Sequence, residues 1–290
     1  MLSLVWDRRP TYNNNPQITS NRIMTYAKLT YYAIFAFGYG FVGSLAHLVM
    51  VNSSWTFGHI VSLWRFARDI KIVYPPCDTK NLEDLPLSSR NNFILSIGQF
   101  RPEKDHELQI RSFAKFMKRL REENCLGDGD DIKLVLIGSC RGKSDESRVQ
   151  YLQTLATQLD VADQTKFIIN QPFSVLKEWL GRSSVGMHTM WNEHFGIGVV
   201  EMMAAGLITI AHNSGGPKLD IVVPIDGQRT GYLASSESEY ANSMYQIFFC
   251  NSDDENTKIR SSGRKASRAF SDEVFEASFK SALLSSNILK

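Results

Sequence analysis

The chain has 290 residues, of which 43% are hydrophobic and 21% charged, and its formal net charge is +2. These fractions are those of a globular protein and exclude wholesale disorder, while the length predicts about two domains with buried cores. The near-neutral net charge argues against a dedicated nucleic-acid-binding protein, which needs a basic excess. The four cysteines lie far apart without metal-ligand spacing, which favours a reducing compartment.

The first unusual feature is a run of 36 residues, 29–64, that contains no Asp, Glu, Lys or Arg and has basic residues on both sides. Its first part, 29–51, is long enough to span a bilayer, but it is rich in Tyr and Phe and interrupted by glycines. This composition favours a helix at a membrane interface over a spanning helix. A buried helix that leads into a buried strand is an equally good interpretation. The polar residues 1–21 are typical of a loop without a targeting signal.

The predicted elements alternate along the chain. A helix over 22–42 is followed by a strand over 46–52, a Ser- or Thr-capped helix that ends near 66, and a strand over 70–74. The polar stretch 79–92 is the predicted linker. After it, the pattern predicts strands over 92–97, 133–137, 166–169, 185–187 and 207–211, and helices over 107–122, 147–159, 174–182 and 198–205. Two further helical patterns follow residue 237. This alternation predicts an α/β fold with a parallel sheet and helices on both faces.

Ligands of an open parallel sheet bind beyond the carboxyl ends of its strands, so the residues that follow each strand are the candidates for function. The strand over 92–97 is followed by Gly98, which permits close approach of the backbone to a ligand. Arg101 and Lys104 come next, and this pair of cations is common at phosphate groups. A solvated basic loop before a helix would have the same sequence, so the signal is weak on its own.

The segment 193–206 is more informative. Gly196 and Gly198 precede a helix, whose exposed amides and dipole favour a bound anion. Glu193 lies before this helix and Glu201 within it, so the two carboxylates can flank the anion and accept hydrogen bonds from hydroxyls at its two ends. A nucleotide-diphosphate-sugar has that shape. The alternative is an exposed glutamate pair beside an ordinary helix, which spacing alone favours.

Other candidates are less specific. The glycine turn at 213–217 could form a further wall of the same cleft, and His194 could donate to a sugar. His106, His188 and His212 fall near strand ends but form no metal pattern, and the acidic residues at 128–131 are typical of a turn.

Taken together, these residues resemble the retaining family 4 glycosyltransferases of the GT-B fold. The Glu-x7-Glu pattern of that family corresponds to Glu193 and Glu201, and its Arg and Lys phosphate pair to Arg101 and Lys104. Segments 51–56, 72–78 and 214–220 look like those of the endoplasmic-reticulum α-1,2-mannosyltransferases that extend dolichol-linked oligosaccharides. The resemblance covers nearly the whole chain.

The resemblance implies a function and a set of roles. The chain would transfer α-1,2-linked mannose from GDP-mannose to a dolichol-diphosphate-linked oligosaccharide at the cytosolic face of the endoplasmic-reticulum membrane, with other mannosyltransferases of the pathway as candidate partners. Glu193 is the implied catalytic residue, at the mannose hydroxyls, and Glu201 is implied at the ribose. The implied donor-binding residues are Gly98, Arg101, Lys104, His194, Phe195, Gly196, Ile197 and Glu201. No metal, cofactor or nucleic acid is expected, since the two cations neutralise the leaving group.

The same resemblance predicts the domain organisation. Residues 88–290 are expected to form a complete nucleotide-sugar-binding domain with C-terminal helices. Residues 1–87 are expected to be the C-terminal remainder of an acceptor-side Rossmann-like domain, because the acceptor loop and the catalytic histidine region of its first part have no counterpart, as in an N-terminally truncated chain. Two alternatives stay open: a truncated, non-catalytic isoform that binds a membrane or a partner through 29–51, and a soluble nucleotide-sugar enzyme with another donor.

Overall fold

The computed structural model describes residues 22–125 and 131–286. The chain divides into two compact units, one formed by Tyr74–Ala277 and the other by the described parts of Met1–Val73 and Ser278–Lys290. Leu82, which belongs to the predicted linker, is buried in a hydrophobic cluster with Phe93 and Trp179 of the larger unit. The predictions for 1–21 and for most of the acidic turn at 128–131 lie outside the described residues.

The smaller unit contains α1 (Arg22–Gly43), β1 (Val49–Val51), α2 (Ser54–Leu63) and β2 (Ile70–Ile72). The two strands pair in parallel, with Val49 opposite Ile70. The predicted cap of α2 is confirmed, because Ser53 Oγ accepts a hydrogen bond from the Thr56 amide at 3.0 Å. The buried core of this unit is small and consists of Val49, Val51 and Ile60.

Helix α1 is exposed along most of its length. Only Thr25 and Gly40 are buried among its 22 residues, and Phe37 is 80% exposed. Tyr31, Phe35 and Tyr39 stack on successive turns, with ring centroids 6.3 and 6.1 Å apart. The interpretation of this segment as a buried helix is therefore wrong for α1, whereas Val49 and Val51 of the strand after it are buried as predicted. Within the described residues, no helix combines the length and apolarity needed to cross a membrane.

The larger unit is built on a parallel sheet, as predicted, and this sheet has six strands. Its strands are β3 (Asn91–Ile97), β4 (Lys133–Gly138), β5 (Thr165–Ile169), β6 (Ser183–His188), β7 (Ile208–His212) and β8 (Tyr232–Ala234). Its helices are α3 (Lys80–Glu83), α4 (His106–Glu122), α5 (Lys143–Gln158), α6 (Phe173–Arg182), α7 (Ile197–Ala204), α8 (Glu237–Tyr245), α9 (Asp253–Ser267) and the first part of α10 (Asp272–Ser285). Strand β8 and the short helix α3 are absent from the sequence-based prediction.

The sequence of each element explains its place in the core. Helix α4 buries a stripe that includes Ile110, Phe113, Met117 and Leu120, spaced three and four residues apart, and Asp105 caps its first turn by accepting from the Leu108 amide at 3.2 Å. Strands β3, β4 and β7 contain short apolar runs that are buried, as in parallel sheets that are covered on both faces.

The strand order β5-β4-β3-β6-β7-β8 places the first strand of the larger unit at the centre of the sheet. The chain runs outward from β3 in one direction, returns to β6 and then runs outward in the other direction. Such a reversal leaves a crevice between the loops that follow the two central strands, where ligands of this architecture bind. The crevice of this sheet lies between the ends of β3 and β6, next to Gly98 and His188.

Candidate functional site

The loop after β3 lies against the end of β4. The Gly98 amide donates to the Ile137 carbonyl at 3.0 Å, and the Phe100 amide donates to the Ser139 carbonyl at 3.1 Å. Gly138 is required here, because a Cβ at this position would lie 1.7 Å from the carbonyl oxygen of Gly98. The backbone around Gly98 is therefore fixed by a neighbouring strand, and a Cβ at Gly98 would lie 3.5 Å from the Lys104 side chain.

A short 3₁₀ turn, Pro102–Lys104, positions the predicted phosphate-binding lysine. The hydroxyl of Thr189, which follows β6, lies 2.8 Å from the carbonyl oxygen of Lys104 and 3.0 Å from that of Asp105. The same hydroxyl accepts a hydrogen bond from Gln109 Nε2 at 2.8 Å. Thr189 is 1% exposed and Gln109 is 2% exposed, so a buried polar chain connects the loop after β3 to the loop after β6.

The centre of the site is an ion pair between these two loops. Lys104 Nζ lies 2.8 Å from Glu193 Oε2, and His188 Nε2 lies 3.4 Å from the same oxygen. Burial of the carboxylate would raise its pKa, but the hydrogen bond from His188 and the charge of Lys104 outweigh burial and lower the pKa of Glu193 to about 2. Glu193 is therefore an anion at neutral pH and can only accept hydrogen bonds.

The loop after β7 fixes the backbone of Glu193. The Gly216 amide donates to the Glu193 carbonyl at 2.9 Å, and the Asn192 amide donates to Ser214 Oγ at 2.8 Å. Gly215 has a φ of +63°, and a Cβ there would lie 2.2 Å from the Glu193 carbonyl oxygen. The predicted turn at 213–217 therefore fixes the backbone of the Glu193 loop. It contributes to the site through that loop.

Helix α7 begins directly after this loop. Gly196 is its N-cap residue with a φ of +113°, which side chains rarely adopt, and the Ile197 side chain is 45% exposed at the first turn. Phe195 lies differently from its neighbours, because its ring is 3% exposed and packs on Tyr74 and Phe270 at centroid distances of 5.7 and 5.3 Å. Phe195 can therefore contribute only its backbone to a ligand.

The second glutamate has a different environment. Glu201 lies in α7, and its carboxylate makes no ion pair or hydrogen bond with the residues described. Burial and the charge of Asp78 both raise the pKa of Glu201. A partly buried carboxylate without a cation is suited to accept hydrogen bonds from the hydroxyls of a ligand.

The structure brings some predicted residues together and leaves others apart. Gly98, Lys104 and Glu193 lie together at the crevice, whereas the side chain of Arg101 is half-buried and has no acidic partner within 22–125 and 131–286. His194 is exposed. Sequence analysis noted His188 only as a histidine near a strand end, and it did not single out Thr189, whose only signal is that it follows a strand. Across the described residues, no cluster of three or more His, Cys, Asp or Glu is arranged to hold a metal ion.

Comparison with protein families gives two matches. Residues 78–266 match the model for glycosyl transferases group 1, and residues 1–64 match the model for the ALG11 mannosyltransferase N-terminus. The chain belongs to the group 1 glycosyl transferases. The larger match covers the β3 and β6 loops and helix α7, so the predicted site lies within the part of the chain that defines the family.

Curated relatives include the GDP-Man:Man(3)GlcNAc(2)-PP-Dol alpha-1,2-mannosyltransferases of Mus musculus and Homo sapiens. The mouse protein is 50% identical over 96% of this chain, and the human protein is 49% identical over 98% of it. The matched regions are 56% and 57% of those two proteins, so this chain spans about half the length of the curated relatives it matches.

Solved structures show the same architecture. Anabaena Alr3699/HepE in complex with UDP and glucose has a TM-score of 0.68 and 19% identity, covering 83% of this chain and 63% of that one. Sucrose-phosphate synthase from Thermosynechococcus elongatus has a TM-score of 0.69 and 18% identity, covering 98% of this chain and 65% of that one. These neighbours confirm the predicted α/β fold of the GT-B class.

Proposed function

We propose that this chain is the donor-binding part of an α-1,2-mannosyltransferase that uses GDP-mannose and a dolichol-diphosphate-linked oligosaccharide. The observation that carries the proposal is the Lys104–Glu193 ion pair, which joins the two central loops of the sheet at 2.8 Å. The activity for which the mouse and human relatives are named supports the choice of donor and acceptor. We propose residues 88–290 as the nucleotide-sugar-binding domain and 1–87 as the remainder of the acceptor-side domain.

The roles follow from charge and position. Lys104 and Arg101 hold the diphosphate and neutralise the negative charge that develops on the leaving GDP. Glu193, an obligate acceptor with one oxygen already engaged, accepts hydrogen bonds from mannose hydroxyls. Glu201, which has no cation beside it, accepts from the ribose hydroxyls. The N-terminal amides of α7 at Gly196 and Ile197 donate to the phosphate or to mannose, and Gly98 and His194 complete the donor site.

In this arrangement, Lys104 contacts both Glu193 and the diphosphate. Its ammonium group has three donors, so it can keep one hydrogen bond to Glu193 while it reaches a phosphate oxygen. The mannose and the diphosphate are thereby held relative to each other by one side chain. Transfer from an α-linked donor to an α-linked product retains the configuration at the anomeric carbon, and no side chain of this chain is assigned as a nucleophile.

Calorimetry with the full chain tests the nucleotide assignment. We expect GDP to bind, and the Arg101→Met with Lys104→Met double variant to bind it at least about tenfold more weakly, since two charge-assisted contacts are lost. The matched control is Arg229→Ala with Lys258→Ala, which removes the same charge from two exposed positions. Equal affinity in both double variants would contradict the assignment, and stronger binding of UDP than of GDP would favour the enzyme with another donor.

A second candidate function has its own observation. Helix α1 exposes Ile34, Phe35, Phe37 and Phe41 by 57–80%, and these side chains make the chain suited to lie on a membrane surface. We propose that this surface contacts the cytosolic face of the endoplasmic-reticulum membrane, close to the lipid-linked acceptor. A chain that bound membranes or other mannosyltransferases of the pathway without catalysing transfer would be the non-catalytic isoform.

Two measurements separate these functions. Flotation with liposomes should carry the full chain upward, and Phe37→Glu with Phe41→Glu should abolish flotation, whereas Phe173→Glu at a 50% exposed position of the larger unit should not. Transfer of radiolabelled mannose to a lipid-linked trimannosyl acceptor then tests catalysis. Turnover by this chain alone rules out the non-catalytic isoform, and flotation without turnover supports it.

A further inference from the structure

His188 is the least expected residue beside the proposed donor site. It is the last residue of β6, and only 6% of its surface is exposed. Its carbonyl oxygen accepts a hydrogen bond from the Tyr240 hydroxyl at 2.8 Å, and the Tyr240 side chain is fully buried. The pairing of His188 with Ala211 of β7 and this hydrogen bond fix the His188 backbone, and burial restricts its ring.

The two ring nitrogens of His188 have different surroundings. Nε2 lies 3.4 Å from Glu193 Oε2, whereas Nδ1 is buried without a hydrogen-bond partner. A neutral imidazole with its proton on Nδ1 would bury an unpaired N–H and direct the Nε2 lone pair at a carboxylate oxygen. The tautomer with its proton on Nε2 avoids both costs, because the N–H then lies on the side of the ring that faces Glu193 Oε2, and Nδ1 carries no proton.

We propose that His188 is a positioning residue that orients the Glu193 carboxylate. The oriented carboxylate then selects for the sugar of the donor. His188 and Lys104 both contact Oε2 of Glu193. Within the described residues, Oε1 of Glu193 makes no hydrogen bond or ion pair. Oε1 is therefore the oxygen left to accept from a sugar hydroxyl. This inference rests on the proposed function, because it takes the ligand of Glu193 to be the sugar of a nucleotide-diphosphate-sugar.

Lys104 alone does not supply the same constraint. Its side chain has four rotatable carbon bonds, and its charge is the one that the diphosphate recruits. An ammonium group that is shared between a phosphate and Oε2 restrains the carboxylate less than a fixed ring does. The His188 ring stays in place, because it is attached to a central strand and has no part in phosphate binding. His188 therefore keeps the Glu193 carboxylate oriented while Lys104 serves both groups.

The experiment compares two ligands that differ only by the sugar. Calorimetry with the full chain gives the ratio of the GDP and GDP-mannose dissociation constants for the wild type, His188→Leu and His188→Gln. We expect His188→Leu to lower the gain in affinity from mannose roughly tenfold while GDP affinity stays unchanged, since the polar contact of the ring with the Glu193 carboxylate is lost. Gln retains an N–H donor and should restore part of the gain. Val185→Ala, a buried position of the same strand, controls for loosening of β6 and should leave the ratio unchanged.

The outcomes are distinguishable. A wild-type chain that binds neither ligand overturns the proposed function together with this inference. A chain that binds both ligands but keeps its ratio in His188→Leu overturns this inference alone, as does a wild type that gains nothing from mannose.

A second measurement does not depend on the folding of a variant. Nitrogen NMR of the ¹⁵N-histidine-labelled full chain reports which ring nitrogen carries the proton. Protonation of His188 at Nε2 with a free Nδ1 supports the inference, and the opposite tautomer overturns it.

Discussion

Two helices of this chain use aromatic residues in opposite ways. Helix α4 in the larger unit buries eight of its 17 residues, including Phe113 and Phe116, whereas α1 in the smaller unit buries two of 22 and leaves Phe35 and Phe37 exposed. The larger unit therefore gains its stability from apolar side chains that it covers itself. The aromatic residues of α1 lie on the surface of the chain. We therefore expect them to function in binding and not in stabilising a core.

The largest expected effect tests this contrast directly. Phe113→Ala removes a fully buried ring, so it should lower the free energy of unfolding of the larger unit by about 3–5 kcal/mol. Phe37→Ala, at an 80% exposed position, should change stability by less than about 0.5 kcal/mol. Denaturant unfolding of the two full-length variants provides the comparison. Similar losses in both variants would show that α1 is buried in solution, for example by self-association.

Backbone packing gives the next effect. Gly138→Ala places a Cβ 1.7 Å from the Gly98 carbonyl oxygen, so the loop after β3 must move, at an expected cost of about 3 kcal/mol. Because this loop leads to Lys104, GDP affinity should fall together with the melting temperature. A variant that melts as the wild type does would contradict the close approach of the two backbones.

The two glutamates should respond to pH with opposite signs. The folded-state pKa of Glu193 is lowered to about 2, so its ionised form stabilises the fold above its ordinary pKa, and that stabilisation is lost as the pH falls toward 2. The contribution at neutral pH is on the order of 3 kcal/mol, and Glu193→Gln should lose it and show a flatter stability profile between pH 5 and about 2.

Glu201 is the matched control. Burial and Asp78 raise its pKa, so the ionised carboxylate destabilises the fold above that pKa, and Glu201→Gln should be more stable than the wild type at neutral pH. Denaturant titrations at several pH values measure both profiles. A loss of stability in both variants at neutral pH would contradict the different environments of the two carboxylates.

The smallest effect belongs to the smaller unit. Gly58 lies within α2, and a Cβ there would meet no heavy atom within 4 Å. Gly58→Ala should raise the free energy of unfolding by up to about 1 kcal/mol, because alanine loses less backbone entropy in a helix. Thermal melting of the full chain detects the change, and a loss of stability would indicate that the smaller unit is packed more tightly at this position than the structure has it.

The sequence was sufficient for the alternation of strands and helices, and the reasons for its failures are physical. Strand β6 extends over Ser183–His188 although only Val185–Met187 were predicted, because Ser183, Ser184 and His188 are polar residues that are nevertheless buried. Strand β8 has only three residues, which are too few for a hydrophobic period to be recognised in the sequence.

The site was predictable in its residue types but not in its connections. The positions after β3 and β6 follow from the general rule for parallel sheets, and Lys104 and Glu193 lie there. Their contact joins residues 89 positions apart, and it depends on the strand order, which local patterns do not contain. The same limit applies to His188 and Thr189, whose partners come from other strands and helices.

The hydrogen bonds from the loop after β7 to the loop that carries Glu193 have a thermodynamic consequence. The Gly216 amide and Ser214 Oγ fix the backbone on both sides of Asn192 and Glu193 before any ligand arrives. The conformational entropy of this segment is therefore lost during folding and does not have to be lost again on association. Ligand association should proceed with little loop rearrangement, and the heat of binding should report mainly the new polar contacts.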